Sequence, residues 1–433
     1  MSDHQVTRPR VGPRWFTLFT LAWLVIWTVQ LTPLQLLLPL QLDTPESAAG
    51  WVSGVVSSGL VLGVGGLAGV IAGPLAGALS DRQSGRRPRR RPWALLGIWL
   101  AAVCLLLTGA SVGPLAVGAA WIGVCAGVAV ASAAFTAMIA DQLPVEQRGA
   151  ASSASSSAQA LGIVLGVGTV VLLGLGVGAG YLVLAGAIAV IGTAAAILLP
   201  DPSGTAVPSR ALRPAGEPRF AFLRARDFRW VLIGRLVVNI GNALGTSLFL
   251  FFLLYGLGQD HVAAEDNLLL VVVVYTVFVV AASVLAGLVS DRTGRRRGLT
   301  IAAACVQAVA GLLLVVSPTF GMTLVAAAIM GVGYGAFSTV GLAFATDLLP
   351  SERDHGRDLG IVNTAAALGQ LLGPVVGALL VAAVGGFWLV FTVATVLSVV
   401  GGLLSGLARE PAVGSPSQSQ SQSPSQSPSP SPR

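Results

Sequence analysis

The sequence predicts an all-α membrane protein of twelve transmembrane helices, arranged as two pseudo-twofold-related bundles of six. Three observations predict it. Of the 433 residues, 54% are hydrophobic and 10% charged, and the mean hydropathy is +0.82, whereas soluble domains carry about a quarter charged residues. The apolar residues gather into twelve runs, each long enough to cross roughly 30 Å of hydrocarbon, which takes about 20 helical residues. Sequence elements of the first six runs recur, in order, in the second six.

The runs fall at 15–41, 51–79, 93–112, 114–140, 151–175, 178–200, 229–258, 267–289, 299–317, 320–346, 359–384 and 387–408. They are long and do not alternate. This selects helix over barrel strand, because a lipid-exposed segment must satisfy its own backbone hydrogen bonds and barrel strands alternate in polarity. The expected organisation is a cytoplasmic N-terminal tail (1–14), a first bundle (15–200), a cytoplasmic linker (201–228), a second bundle (229–408) and a tail (409–433). The linker holds Pro, Ser and Arg; the tail is polar and of low complexity, a composition expected to be disordered. Arg8, Arg10 and Arg14 before the first run mimic a secretory signal. That run is too long for one and lacks a clear small-residue cleavage site, so an uncleaved first helix is expected.

All 25 basic residues are Arg. The even-to-odd connections hold Arg82, Arg86, Arg87, Arg89, Arg90, Arg91, Arg292, Arg295, Arg296, Arg297, Arg353 and Arg357, whereas the opposite loops hold Asp43, Glu46, Asp260, Glu265 and Asp266 and no Arg. Basic loops stay in the cytoplasm. The expectation is therefore a multi-pass protein of the inner membrane with both termini cytoplasmic, and the net charge of +7 reflects topology, not nucleic-acid binding. Cys104, Cys125 and Cys305 lie inside the runs without metal-ligand spacing, so neither a disulfide framework nor a metal or cofactor is expected.

The repeat is carried by three pairs of segments. Gly77-Ala-Leu-Ser-Asp81-Arg82 recurs as Gly287-Leu-Val-Ser-Asp291-Arg292, 210 positions later; Asp141-Gln-Leu-Pro144 as Asp347-Leu-Leu-Pro350, 206 later; and Ala160-Leu-Gly-Ile-Val-Leu-Gly166 as Ala367-Leu-Gly-Gln-Leu-Leu-Gly373, 207 later. Parallel halves place a cavity at their interface, where alternating access operates.

The segment from Gly287 to Arg297, GLVSDRTGRRR, resembles the signature between helices 2 and 3 of the major facilitator superfamily. Physically, its Gly permits close backbone approach, and its Asp can sit against the positive N-terminus of a facing helix. The resemblance implies gating contacts between the halves by Gly77, Asp81, Arg82, Gly287, Asp291 and Arg292, with Asp81 meeting the start of helix 11 and Asp291 the start of helix 5. The first copy, SDRQSGRRPRRRPW from Ser80 to Trp93, is similar to the loop of the sucrose-transporter and glycoside–cation-symporter branch, with Pro88 where that branch often has Gly. Ala140-Asp141 resembles that branch too, although the fourth run lacks the embedded Arg of plant sucrose carriers. Drug–proton antiporters carry a Gly-Pro kink in helix 5. Here that run has glycines but no Pro, and Gly373-Pro374 lies in the eleventh run instead.

Candidate cavity residues follow from helical spacing. Arg235, Asn239, Asn242 and Thr246 recur at i, i+4, i+7 and i+11, one face of the seventh run. A charge within a membrane helix must face protein or water, which makes Arg235 a gating or substrate candidate. It also lies about 9 Å past Arg229, at 1.5 Å per residue, within snorkelling reach of the cytoplasmic surface. Asn239 and Asn242 are substrate candidates against a null of helix–helix hydrogen bonding. In the first run Trp23, Trp27 and Gln30 share a face, with Gln35 beyond. An aromatic surface beside an amide suits a sugar ring, and aromatic packing explains it equally. Asn363 and Gln370 share a face with Pro374, and Ser132 and Ser338 are repeat-related.

Coupling is less legible. No Asp, Glu or His falls mid-helix, His4, His261 and His355 lie in a tail or loops, and the carboxylates at hand are Asp81, Asp141, Asp291 and Asp347, or Asp43 and Glu46. Uniport and symport with a proton or sodium ion both remain open. The leading expectation is a monomeric secondary transporter of a small organic solute such as a sugar or glycoside. Efflux of a drug-like or antibiotic compound is the alternative and a non-transporting membrane sensor a remote one. An enzyme is not expected, since the runs hold no nucleophile–base pair or paired carboxylates. Gly331-Val-Gly-Tyr-Gly335 lies within an apolar run without the strand–turn–helix context of a dinucleotide site.

Overall fold

The computed structural model describes residues 10–43, 50–82, 90–201, 226–348 and 355–409. Nearly all of the expected linker and tails lies outside these residues. Within them twelve helical spans follow one another: α1 (Pro13–Leu42), α2 (Trp51–Arg82), α3 (Arg91–Ala110), α4 (Pro114–Gln142), α5 (Val145–Leu172), α6 (Val177–Leu198), α7 (Arg226–Gly256), α8 (His261–Thr293), α9 (Arg296–Val316), α10 (Phe320–Asp347), α11 (His355–Val384) and α12 (Trp388–Ser405). Eleven are long and apolar enough to cross a membrane as single helices; α7 is two pieces, Arg226–Ser247 and Phe249–Gly256, bent by 43°.

Each start has a local cause. Pro13, Pro92 and Pro114 sit in first turns, where a missing N–H costs nothing. Asp260 and Thr319 cap α8 and α10 by accepting from Ala263 N and Met322 N, and Gly294 ends α8 at φ +65°, a backbone conformation that favours glycine. Inside α1, Pro33 removes a ladder donor, and the helix winds into a π-turn over Pro33–Leu37. Further π-turns lie in α6 at Ile188–Gly192 and in α7 at Phe252–Gly256. Such turns interrupt the regular ladder and mark places where a helix bends.

The packing pattern occurs twice. In the first half α4 lies between α2 and α3, α1 packs on α5 and α6, and α3 also meets α6; in the second, α10 lies between α8 and α9, α7 packs on α11 and α12, and α9 meets α12. Between halves α2 lies along α11 and α5 along α8. This equivalence is the pseudo-twofold relation expected from the repeat.

Lipid tails are as apolar as leucine, so the helices cohere through close packing of small residues. A methyl group on Gly97 of α3 would lie 2.4 Å from Ala131 N and 2.6 Å from Gly127 O of α4. At the equivalent crossing of the second half Gly333 of α10, the counterpart of Gly127, is as tight, with Gln307 N 2.5 Å away. Both obstructing groups are backbone, which cannot rotate away. We therefore expect Gly97→Leu to abolish the monodisperse peak of detergent-solubilised protein in size-exclusion chromatography. Gly186→Leu, where nothing lies within 4 Å, should leave the peak unchanged.

Candidate functional site

Polar side chains of α7 converge with partners on three other helices. Asn239 Nδ2 donates to Arg235 O (2.7 Å), and its Oδ1 accepts from the Tyr334 hydroxyl of α10 (3.2 Å). Gln370 of α11 is within hydrogen-bonding reach of that same phenol. Asn242 Oδ1 accepts from the Tyr275 hydroxyl of α8 at 3.2 Å. Glycine brings α11 against this face: a methyl group on Gly369 would lie 2.4 Å from Asn239 Cβ, and one on Gly373 2.3 Å from Ala243 Cβ. Asn239 and Asn242 are buried, Tyr275 and Tyr334 half-buried, and Gln370 exposed within its span. An exposed amide joined through Tyr334 to Asn239 marks a wall facing water, not lipid.

Arg235 belongs to this cluster and does not snorkel to the surface. It is 7% exposed, and its Nη1 donates to Ser338 O of α10 at 3.2 Å. Position along the helix axis allowed both outcomes; the contact with the Ser338 carbonyl of α10 holds the guanidinium inside the bundle.

The first half contributes Trp27 and Gln30. The Trp27 ring lies 6.1 Å from that of Trp23, its Nε1 is buried without a partner, and its Cβ lies where α1 crosses Gly162 of α5. Gln30 is half-buried and makes no hydrogen bond among the described residues. Sequence reasoning missed a third feature: Ser152, Ser153, Ser156, Ser157 and Gln159 are all exposed along the first half of α5. The signal was available as a run of hydroxyls inside a span. Tyr275 and Tyr334 were also missed, although the chain holds only four tyrosines.

At the acidic end the halves are joined. Tyr255 of α7 donates to both oxygens of Asp43, at 2.7 and 2.8 Å, and His261 Nε2 lies 3.9 Å from the same carboxylate. The Asp43 side chain is 3% exposed. Trp51, at the start of α2, is sandwiched between Tyr255 (centroids 4.8 Å apart) and Phe387 (5.4 Å), both from the other half. Phe387 in turn meets Phe252 edge-on at 5.6 Å. Below this plug α2 and α11 touch through glycine. Methyl groups on Gly59, Gly63 and Gly66 would lie 2.4 Å from Ala378 Cβ, 2.3 Å from Val375 Cγ2 and 2.9 Å from Leu371 Cδ1.

Towards the arginine-rich end the described residues show no such contact. Gly77, further along α2, has nothing within 4 Å, and Gly287 meets Thr339 of its own half at 3.5 Å. Asp291 and Arg292 are exposed; the side chains of Asp81, Arg82 and Asn363 lie outside the described residues. Two ion pairs seen at this end among the described residues are internal to their halves. Arg90 Nε donates to Asp141 Oδ2 (2.8 Å) and its Nη1 to Ser80 Oγ (2.6 Å), while Arg296 pairs with Asp347 and donates to Ala343 O (2.8 Å). Arg90 and Arg296 are related by the repeat, as are Asp141 and Asp347. Among the described residues the halves are therefore joined at the acidic end by the Asp43–Trp51 plug, and the serines of α5 are exposed towards the arginine-rich end.

Two like helical bundles, joined at one end and carrying buried polar groups on α7, define a fold found among membrane carriers. The chain belongs to the Major Facilitator Superfamily, whose family model matches residues 84–264 and 235–431; it is a multi-pass membrane protein. It is 35% identical over 126 residues to a triacylglyceride transporter of Mycobacteroides abscessus, covering 29% of this chain and 24% of that protein. It is 33% identical over 132 residues to an uncharacterized MFS-type transporter of Mycobacterium tuberculosis, covering 30% of this chain and 19% of that protein. The matched part thus spans a quarter or less of those relatives' length. Among solved structures, the nucleoside transporter NupG superimposes with a TM-score of 0.71 at 14% identity, over 91% of this chain and 99% of that one. A D-xylose–proton symporter gives 0.69 at 16%, over 91% and 97%. A bacterial homologue of the lysosomal transporter Spinster gives 0.70 at 15%, over 91% and 96%. At such identities the likeness is one of fold.

Proposed function

We propose that the chain is a secondary carrier of a small, hydroxyl-bearing organic solute of the sugar or glycoside type, working by alternating access across the cytoplasmic membrane. The observation that carries this reading is the hydrogen-bonded wall of Asn239, Asn242, Tyr275, Tyr334 and Gln370, facing a half that contributes Trp27 and Gln30. Amides and phenols offer donors and acceptors at fixed positions, and an indole offers a flat face for the CH side of a ring. The arginine-rich loops orient the open mouth to the cytoplasm and put both termini there, so the described state is the one that exchanges solute with the cell interior. On this reading Gly77, Asp81, Arg82, Gly287, Asp291 and Arg292 close the cytoplasmic side in the opposite state. A nucleoside transporter and a xylose symporter among the structural neighbours fit a polar solute.

A second reading, export of an amphipathic compound, is favoured by the partial relative that is a triacylglyceride transporter. Counterflow in proteoliposomes separates the two. The carrier reading predicts trans-stimulated exchange of at least one hydroxylated solute among glucose, sucrose, uridine, gluconate and glucose 6-phosphate. Exchange of an amphipathic dye with none of these would overturn it.

A further inference from the structure

Arg235 is the tenth residue of α7, whereas every other described charge lies within the first or last six residues of its helix or outside one. It is 7% exposed. Of its donors, Nη1 reaches one backbone carbonyl and Nε has no partner. Among the described residues no carboxylate lies within ion-pairing distance of it. Holding an unneutralised cation away from bulk water costs several kcal/mol, so a protein that retains one has a use for it. Its surroundings show the use. Asn239 bonds to its backbone, and the phenol of Tyr334 joins Asn239 to the exposed amide of Gln370, so the guanidinium sits at the edge of the same polar wall. Neutral hydroxyls can accept its hydrogen bonds but leave its charge uncompensated. A carboxylate or phosphate does both, and its two oxygens match the guanidinium fork.

Resting on the carrier reading above, we propose that the transported solute is an organic anion whose carboxylate or phosphate is bound by Arg235, with Tyr334, Asn239 and Gln370 holding its hydroxyl-bearing part. One guanidinium, with no second deep cation among the described residues, matches a single acidic group. Solute binding then supplies the counter-charge that Arg235 lacks among the described residues.

The test uses matched probes: glucose against gluconate and glucose 6-phosphate, and uridine against uridine monophosphate. Each is measured by thermal unfolding of the detergent-purified full chain and by proteoliposome counterflow. In the wild type an anionic probe should bind at least tenfold more tightly than its neutral mate. Arg235→Gln should abolish that preference, whereas Arg235→Lys should keep part of it. The ratio of anionic to neutral affinity is the readout, because a merely structural role would lower both together. The carboxylate and phosphate arms say which acid is taken. Should Arg235→Gln fail to fold, the wild-type ratio and Arg235→Lys still decide the matter. Neutral probes exchanging with an affinity that Arg235→Gln does not alter would overturn the anion proposal and leave the carrier intact. Binding of no anionic probe by the wild type would overturn it as well, and failure of every hydroxylated solute to exchange would overturn the carrier reading too.

Discussion

Trp51→Ala should open the acidic end. The indole is clamped between Tyr255 and Phe387 of the other half at 4.8 and 5.4 Å. Aromatic pairs contribute about 0.5–1.5 kcal/mol each beyond the area they bury. Losing two weakens the closed state by roughly 1–3 kcal/mol, and at about 1.4 kcal/mol per decade that shifts the equilibrium some ten- to hundredfold towards the opposite state. The rest of the plug does not replace it, because the Asp43–Tyr255 hydrogen bonds fix a rim and fill no space. In a background with Cys104, Cys125 and Cys305 replaced by alanine, the rate at which a membrane-impermeant maleimide labels Thr246→Cys from the acidic side reports the opening. The expected result is a rate rise of at least tenfold, and an unchanged rate would show that Trp51 is packing filler only.

Gly59→Leu should give the second large effect, by a different route. A methyl group at Gly59 would already lie 2.4 Å from Ala378 Cβ and 2.8 Å from Pro374 O. The carbonyl is backbone within a helix and cannot yield without moving α11. Overpacking of this kind costs about 1–3 kcal/mol, and here it is charged only to the state in which α2 and α11 touch. The substitution should therefore leave the protein folded and monodisperse, abolish transport, and hold the cavity open at the acidic end. Gly97→Leu obstructs a contact inside one half, which both states need, and so should prevent folding instead. The two glycines distinguish packing that builds a bundle from packing that closes a gate.

Much of the fold was legible because lipid imposes a simple rule: twenty apolar residues make one crossing, and the two sides of the membrane sort the arginines. The break in α7 was not legible. The apolar run continues past the bend from Leu248 to Leu254, so hydropathy gives no sign of it. At the site, the spacing of Asn239 and Asn242 announced one helical face, and the structure supplies the partners that spacing cannot, Tyr334, Tyr275 and Gln370. Of the two alternatives for Arg235, distance along the helix could not choose, because it says nothing about the contact with Ser338 O on α10. The plug was invisible for another reason. Asp43 reads as a loop charge, and nothing in the sequence links it to Trp51, Tyr255 or Phe387. Only their meeting across more than 300 residues of chain makes them a gate.

The central claim is that the halves rock about the polar wall, so that closure at one end requires opening at the other. Spin-label distances in nanodiscs test it most directly, with one pair at Ser53→Cys and Gln259→Cys across the acidic end and another at Gly149→Cys and Thr293→Cys across the arginine-rich end. The account predicts a short first distance and a long second one in the parent protein, exchanged in Gly59→Leu. Two distances that lengthen together, or a second that stays fixed while the first changes, would contradict it.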